Sequence, residues 1–329
     1  MDQQKNIIEK YPPPDKTKTP SISQQFKRFR TLKTITVETD PFIQSQLELV
    51  SRQNISNWIE RLSSFHNRHT KSPNIYDVGN WLKNELSNLG YTDNENIKIH
   101  LYQEEEFTLE NVICTKTGDS RKILLICAHY DTILKNDFED IVSRAPGADD
   151  NASGVAAILE IARILFPLQT KYDIQFVFFS GEEQGLWGSK HYANYLKIND
   201  VDIHLLINLD MCGETGYLST NNTTNIDVDN GQTGVESSNN EASQLFGLTM
   251  EQMAKIYTDL DVEFDPIDAS DYMPFEARGY VCIGAYDGSA ISSNPHYHSS
   301  SDIPANLNMD FLISVTKMVL ATILKEAKK

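Results

Sequence analysis

The chain has 329 residues, of which 40% are hydrophobic and 23% are charged, as in an ordinary globular protein with a large buried core. Its formal net charge is −17, from 46 acidic and 29 basic residues, so nucleic acid and anionic membrane surfaces would on balance be repelled. No apolar run approaches the roughly 18 residues needed to cross a bilayer, and residues 1–16 lack the apolar core of a signal peptide. We therefore expect a soluble chain that binds neither nucleic acid nor membrane. The four cysteines show no C-x-x-C spacing and are expected to be buried free thiols: Cys114, Cys127, Cys212 and Cys282.

The first part of the chain is predicted to be an arm followed by two helices. Residues 1–42 contain three successive prolines and a basic stretch without periodicity, which favours an extended N-terminal arm. Apolar residues then recur near helical spacing in QSQLELVSRQNISNWIERLSSF and again in SPNIYDVGNWLKNELSNLG, which stops at Gly90. Residues 43–329 are expected to form a single domain, with two helices before its first strand.

Beyond these helices, apolar runs alternate with helical segments. KILLICAHYD, IQFVFFSGEE and DIHLLINLD are continuous apolar runs, typical of strands buried on both faces, and ASGVAAILEIARIL between the first two has helical spacing. This order predicts an α/β fold, a three-layer sandwich with a central, mainly parallel mixed sheet covered by helices on both faces. Residues 213–240 are polar and rich in Asn, Gly and Thr, and are predicted to be a loop or small insertion.

Residue types that bind metals follow three of the predicted strands. His129 and Asp131 end the first run, Glu182 and Glu183 end the second, and Asp210 ends the third. The carboxyl ends of parallel strands meet at one edge of an open α/β sheet, where ligands bind, so these side chains are expected to converge. Adjacent carboxylates directly after a buried strand would suffer repulsion and desolvation unless a cation or a proton relieved them. The pattern therefore indicates a metal site at this edge.

The pair Asp149 and Asp150 in PGADDNASG has two interpretations. Carboxylates at the start of a helix are favoured electrostatically even without a metal, so helix capping is one of them. Capping does not account for His298, a loop histidine in NPHYHSSSDIP. Zinc accepts imidazole nitrogen and carboxylate oxygen, and two histidines with three carboxylates, one of them bridging, make a two-metal hydrolytic site. The second interpretation is therefore a zinc pair.

The order of five motifs, AHYDT, PGADDNASG, FSGEEQGLWGS, NLDMCG and YHSSSD, resembles that of the co-catalytic zinc aminopeptidases. Bacterial leucyl aminopeptidases belong to this family, and glutamate carboxypeptidase and glutaminyl cyclase are related to it. The resemblance spans residues 128–302. It implies a metallo-aminopeptidase that carries two Zn²⁺ ions and removes the N-terminal residue, with apolar residues expected to be preferred, from peptides with a free amino terminus. It also implies a secreted or periplasmic enzyme whose residues 43–329 form one catalytic metallopeptidase domain.

The resemblance also implies a role for each residue of the motifs. His129 and Asp210 would bind one zinc, Glu183 and His298 would bind the other, and Asp149 would bridge them. The peptide bond after the bridging aspartate, from Asp149 to Asp150, would be cis.

Other residues would assist these ligands. Asp131 would orient the His129 ring, and Glu182 would be the general base that takes a proton from the metal-bridging water and gives it to the departing amine. Tyr272 stands where many relatives carry the histidine of a Ser-Asp-His sequence. Three residues are thus expected to line the substrate site, although core packing explains the first two equally well: Met211, Tyr297 and Tyr272.

Three alternative functions stay open at this point. A carboxypeptidase would need basic groups for the substrate carboxylate, and the motif neighbourhoods offer only Arg144 and Arg278. Glutaminyl cyclases use one zinc and differ around the bridging aspartate, whereas GADDNASG is intact here. A non-catalytic binding module on the same fold would lack ligands or the base, and none is missing. The sequence does not fix the oligomeric state.

Overall fold

The computed structural model describes residues 38–215, 222–229, 240–288 and 294–328. Most of the predicted arm, residues 1–37, lies outside these ranges. The first helix, α1 (Pro41–Leu47), begins inside the predicted arm, and Asp40 caps it by accepting hydrogen bonds from the amides of Phe42 and Ile43. Within the described ranges, every helix is too short or too polar to cross a bilayer.

From residue 38 onward, three helices precede the first described strand, instead of the two that were predicted. The segment predicted as one helix is divided into α1 and α2 (Arg52–Ser64), and α3 (Asn74–Asn88) follows. The break lies at Ser51, whose hydroxyl accepts a hydrogen bond from the amide of Asn54 at 3.3 Å and caps α2. Apolar periodicity runs through the break, which explains why the pattern alone did not divide the segment.

The strands of the described residues are β1 (Ile97–Glu104), β2 (Phe107–Lys116), β3 (Ser120–His129), β4 (Tyr172–Phe179), β5 (Ile203–Leu209), β6 (Thr223–Val228), β7 (Asp261–Pro266) and β8 (Cys282–Asp287). They form one eight-stranded sheet in the order β1-β2-β4-β3-β5-β8-β6-β7. Neighbours are parallel in the centre, from β4 through β3 and β5 to β8, and between β6 and β7, while the other pairs are antiparallel. The sheet is therefore mixed and mainly parallel, as predicted.

Helices cover both faces of this sheet, which confirms the three-layer sandwich. Successive residues of β3 point to opposite faces, so Leu124 and Ile126 join one apolar cluster while Leu125 and Cys127 join another. The other α-helices of the described residues are α4 (Gly154–Leu165), α5 (Trp187–Ile198), α6 (Asn240–Tyr257), α7 (Met273–Glu276) and α8 (Met309–Ala327). The larger cluster contains side chains of α1, α2, α3, α4, α6 and α8, and the smaller contains side chains of α5 and α7.

The hairpin of β1 and β2 was not predicted. It occupies the sheet edge beside β4, with Val112 of β2 opposite Phe178 of β4. Strand β1 has only one neighbour in the described sheet, and Leu101 on it is 63% exposed. An edge strand that is half in solvent needs no continuous apolar run, so its sequence IKIHLYQE lacked the signal that marked the central strands.

The prediction that residues 213–240 form a loop or small insertion is wrong for residues 223–228, which belong to the main sheet. These residues are β6, which pairs in parallel with β7 and antiparallel with β8. Ile226 and Val228 are buried in the larger cluster, whereas the Asn225 amide donates to the Asp265 carboxylate at 2.7 Å. Thr, Asn and Asp occupy the other positions of β6, so this segment lacks the continuous apolar run that indicates a buried strand. The rest of the predicted loop, residues 216–221 and 230–239, lies outside the described ranges.

All four cysteines are buried and free, as predicted. Burial raises the pKa of each thiol, so all four stay protonated at neutral pH. Three thiols donate hydrogen bonds inside the core, Cys127 to the Asn208 side chain at 3.3 Å, Cys212 to the Ala285 carbonyl at 3.4 Å and Cys282 to the Tyr280 carbonyl at 3.5 Å.

The position of β6 in the core generates a stability prediction. Ile226→Ala should lower the free energy of unfolding by about 2–5 kcal/mol, because a completely buried side chain leaves a cavity. Chemical denaturation followed by circular dichroism measures the change. The control is Leu101→Ala on the exposed edge, which should change stability by less than about 0.5 kcal/mol. Equal, small effects of both substitutions would contradict the placement of β6.

Candidate metal centre

The polar residues at the strand ends lie together, as the order β4-β3-β5 requires. His129 is the last residue of β3, Glu182 and Glu183 follow β4, and Asp210 follows β5. These three strands are parallel neighbours, so their carboxyl ends share one edge. Ligand atoms of His129, Glu182 and Glu183 lie within 4.8 Å of one another.

Asp150 lies between the two imidazoles. Its Oδ1 is 3.1 Å from Nε2 of His129, and its Oδ2 is 3.0 Å from Nε2 of His298. Asp210 Oδ1 is 3.3 Å from the same His129 nitrogen, and Glu183 Oε2 is 2.9 Å from the His298 nitrogen. Two groups of three possible ligands therefore share one carboxylate: His129, Asp150 and Asp210 in one group, and Asp150, Glu183 and His298 in the other.

These donors fit zinc in type and in spacing. Two atoms that are each bonded to a tetrahedral zinc at 2.0–2.1 Å are separated by about 3.3 Å, and the pairs in the two groups are 2.9–3.3 Å apart. Oε1 of Glu183 is buried and has no hydrogen-bond partner among the described residues, and Nε2 of His298 is buried and close to two carboxylate oxygens without the geometry of a hydrogen bond to either. Buried polar atoms without a partner are costly, and a cation between these residues would satisfy them.

The electrostatics of the centre also call for positive charge. Burial alone would lower the pKa of His298, but the Glu183 and Asp150 carboxylates outweigh burial and raise it to about 10. The pKa of His129 is likewise raised, against burial, chiefly by Asp210. Burial raises the pKa of Glu183 to about 7. In the absence of a cation, protons would have to offset the excess of carboxylates, which is the conflict that the sequence indicated.

The structure corrects the predicted bridging residue. Asp149 is in none of the groups of possible ligands in the described ranges, and its Oδ1 accepts hydrogen bonds from the amides of Gly213 and Glu214 at 2.8 and 3.2 Å. Asp150 occupies the shared position instead. The cis peptide bond also lies one residue later than predicted, between Asp150 and Asn151. The side chains of the two adjacent aspartates point in different directions, and the motif does not show which of them faces the imidazoles.

Asp131 is bonded mainly to the backbone after β4. Its carboxylate accepts hydrogen bonds from the amides of Glu182 and Glu183, each at 3.2 Å, and from the Thr70 hydroxyl at 3.0 Å. Nδ1 of His129 lies 3.7 Å from the Asp131 carboxylate and 3.2 Å from the Asp131 carbonyl oxygen. Asp131 thus links the imidazole to the segment that carries the two glutamates.

The three predicted substrate-site residues have different positions. The Tyr297 ring stacks on the His298 ring with centroids 3.6 Å apart, so it lies at the centre. Met211 directly follows Asp210 and is 5% exposed, and its role stays a prediction.

The prediction for Tyr272 is wrong, because its side chain is completely buried and offers no surface to a substrate. The Tyr272 hydroxyl donates to the Asp227 carboxylate at 2.5 Å, and the ring belongs to the apolar cluster beneath α5 and α7. The Tyr272 ring was predicted to line the substrate site, but it fills part of the core.

Two residues that hold Asp210 were not predicted from the sequence. The Ser270 hydroxyl donates to Asp210 Oδ2 at 2.7 Å, and the Asn208 amide donates to the Ser270 hydroxyl at 2.9 Å. Both residues are buried. Asn208 is a polar residue in an apolar strand, and Ser270 lies in the sequence Ser-Asp-Tyr, so both residues could have been noticed. The sequence does not show that the chain brings Ser270 to β5.

Comparison with known proteins shows the same fold and related sequences. The probable leucine aminopeptidase of Trichophyton verrucosum (strain HKI 0517) is 26% identical over 291 residues, which cover 84% of this chain and 74% of that protein. The LapA aminopeptidase of Legionella pneumophila matches with a TM-score of 0.73 and 21% identity, over 91% of this chain and 79% of that chain. BSAP, a zinc aminopeptidase from Bacillus subtilis, matches with a TM-score of 0.56 and 25% identity, over 68% and 52% of the two chains. A glutaminyl cyclase from Fimbriiglobus ruber matches with a TM-score of 0.67 and 16% identity, over 88% and 98%.

A family model fits most of the sheet and the whole centre. The model of peptidase family M28 matches residues 111–323, a range that begins in β2 and ends in α8. It includes every candidate ligand described above. The chain therefore belongs to peptidase family M28 and is a hydrolase of peptide bonds.

Proposed function

We propose that this peptidase is a zinc aminopeptidase, which holds two Zn²⁺ ions and removes the N-terminal residue from peptides with a free amino group. The observation that carries the proposal is the position of Asp150, whose two carboxylate oxygens lie 3.1 and 3.0 Å from Nε2 of His129 and Nε2 of His298. A carboxylate between two imidazoles is the arrangement expected of a ligand shared by two metal ions. The leucine aminopeptidases among the relatives support the choice of substrate.

Each ion would have its own pair of ligands in addition to Asp150. His129 and Asp210 would hold one ion, and Glu183 and His298 would hold the other. When bound, the zinc pair would polarise the scissile carbonyl and lower the pKa of water toward about 7.

Glu182 is suited to move the proton. Its carboxylate lies with His129 and Glu183 but belongs to neither zinc group, so it is free to exchange a proton with the attacking water. Burial raises the pKa of Glu182 well above its ordinary value, which lets the carboxylate keep a proton before it delivers that proton to the departing amine. The hydrogen bond from its amide to Asp131, at 3.2 Å, fixes its position on the loop.

The charges near the centre favour a substrate amino end over a carboxyl end. A carboxypeptidase would need a cation that is free to bind the substrate carboxylate. Arg68 is completely buried and donates only to backbone carbonyls, and Lys71 forms ion pairs with Glu105 and Glu139, each at 3.0 Å. The surrounding carboxylates attract the ammonium group of a free N-terminus.

Metal content and substrate cleavage test this proposal together. The purified protein should contain two zinc equivalents by elemental analysis and should hydrolyse leucine p-nitroanilide. A chelator should abolish the activity, and N-acetyl-leucine p-nitroanilide should not be cleaved, because its amino group is blocked. Absence of zinc, cleavage of the blocked substrate, or cyclisation of an N-terminal glutamine in place of hydrolysis would contradict the proposal.

Substitution of the two adjacent aspartates tests which of them is the shared ligand. Asp150→Asn should weaken zinc binding by at least about 10–100-fold, because loss of a direct ligand costs no less than loss of a residue behind one. Asp149→Asn is the matched control and should keep both ions, since its oxygen can still accept from Gly213 and Glu214. Zinc affinity is measured by competition with a chromogenic chelator. Loss of zinc from Asp149→Asn, with both ions kept by Asp150→Asn, would identify Asp149 as the shared ligand.

Substitution of Glu182 separates the base from the ligands. Glu182→Gln should keep both zinc ions and lower kcat by about 10²–10⁴-fold, because the amide does not accept the proton. Glu104→Gln, which changes a carboxylate paired with His191, is the control and should leave kcat unchanged. If Glu182→Gln lost zinc, Glu182 would be a ligand and not the base.

A further inference from the structure

A buried arginine joins two segments of the metal centre through their backbones. Arg68 lies between α2 and α3 and is completely buried. Its guanidinium donates to the carbonyl of Tyr130 at 2.8 Å, to that of Leu62 at 3.0 Å, and to those of Pro146 and Gly147. Tyr130 lies next to His129, and the carbonyls of Pro146 and Gly147 lie at the start of the turn that carries Asp150. Arg68 therefore ties the end of β3 to the start of this turn.

A buried carboxylate holds the next part of the same turn. Asp302 accepts hydrogen bonds from the amide of Asp149 at 2.8 Å and from the amide of Asp150 at 3.1 Å. Its own carbonyl accepts from the amide of Ala148 at 3.2 Å. Three successive amides of the turn thus bind one residue.

The two side chains divide the backbone of residues 146–150 between them. The carbonyls of Pro146 and Gly147 face the positive charge of Arg68, and the amides of residues 148–150 face Asp302. We propose that Arg68 and Asp302 are positioning residues, which together hold this turn so that the Asp150 carboxylate lies between the His129 and His298 imidazoles. This inference rests on the proposed metal site, and it adds two residues that touch neither the metal nor the substrate.

The charges of the pair suit this role. Burying a guanidinium without a compensating charge is costly, and the hydrogen bonds of Arg68 go to neutral carbonyls. Asp302 and Asp150 are the carboxylates whose attraction most opposes the loss of charge that burial imposes on Arg68. Arg68 in turn offsets part of the negative charge that the centre concentrates. Because their charges are opposite, Arg68 and Asp302 can remain buried together beside a group of carboxylates.

Two conservative substitutions test the proposal on the full-length zinc protein. Arg68→Lys keeps the charge but loses the planar set of donors, and Asp302→Asn keeps the size but replaces an acceptor oxygen with a donor. Each should weaken zinc binding by about 10–100-fold, as is usual for residues that support metal ligands. Each should also alter the visible absorption spectrum of the Co²⁺-substituted protein, because the Asp150 carboxylate would move. The double variant should lose less than the product of the two single losses, because both residues act through one turn.

Two matched controls distinguish positioning from general destabilisation. Asp173→Asn changes a buried carboxylate that accepts the Gly118 amide at 2.7 Å and lies at the start of β4, away from the centre. Arg163→Lys changes a guanidinium of α4 that donates to the Leu49 carbonyl and pairs with Glu160. Both controls should keep the parental zinc affinity and cobalt spectrum, whatever their melting temperatures.

The possible outcomes are distinct. If Asp302→Asn does not fold, Arg68→Lys alone decides, since its charge is retained. Parental zinc affinity with a parental cobalt spectrum in Arg68→Lys would overturn the proposal, and so would an equal loss in Asp173→Asn. A parent protein that binds no divalent metal would instead contradict the proposed function, on which this inference rests.

Discussion

Repulsion among buried carboxylates is the constraint that the rest of this structure has to satisfy. The candidate centre combines five acidic side chains with two imidazoles: Asp131, Asp150, Glu182, Glu183 and Asp210, with His129 and His298. Such a group is unfavourable in a protein interior unless positive charge is placed among the acids. The spacing of the imidazole and carboxylate atoms, 2.9–3.3 Å, leaves positions in which zinc would supply that charge.

The fold divides the task of holding these groups between rigid and irregular elements. His129, Glu183 and Asp210 follow three neighbouring parallel strands whose side chains are buried on both faces, so the sheet itself sets their separation. Asp150 and His298 come from a turn and a loop outside the sheet. In these segments, hydrogen bonds to buried side chains hold the backbone in place of strand pairing. Charged residues such as Arg68 and Asp302 lie inside the protein because they make these hydrogen bonds.

The central strands and the residues at their ends were predictable, because continuous apolar runs indicate strands buried on both faces and parallel strands bring their ends together. The sequence pattern did not resolve features that depend on the direction of a single side chain. Asp149 and Asp150 are adjacent and chemically identical, and only the backbone of the turn decides which one faces the imidazoles. The prediction for Tyr272 failed for the same reason, since the position of this residue in the motif does not reveal that its ring points into the core.

Two strands outside the centre of the sheet escaped prediction for a different reason. Strands β1 and β6 carry polar residues at many positions, and β6 pairs with β7 and β8, which come later in the chain, after α6. The division of the first predicted helix depended on one capping hydroxyl, that of Ser51. Local periodicity records the burial of continuous segments and is insensitive to such contacts.

Anomalous diffraction at the zinc absorption edge, from a crystal of the protein grown with zinc, would locate the metal ions. We predict two anomalous peaks, one among His129, Asp150 and Asp210 and the other among Asp150, Glu183 and His298, with the Asp150 carboxylate between them. A single peak, or two peaks that do not share Asp150, would contradict this prediction.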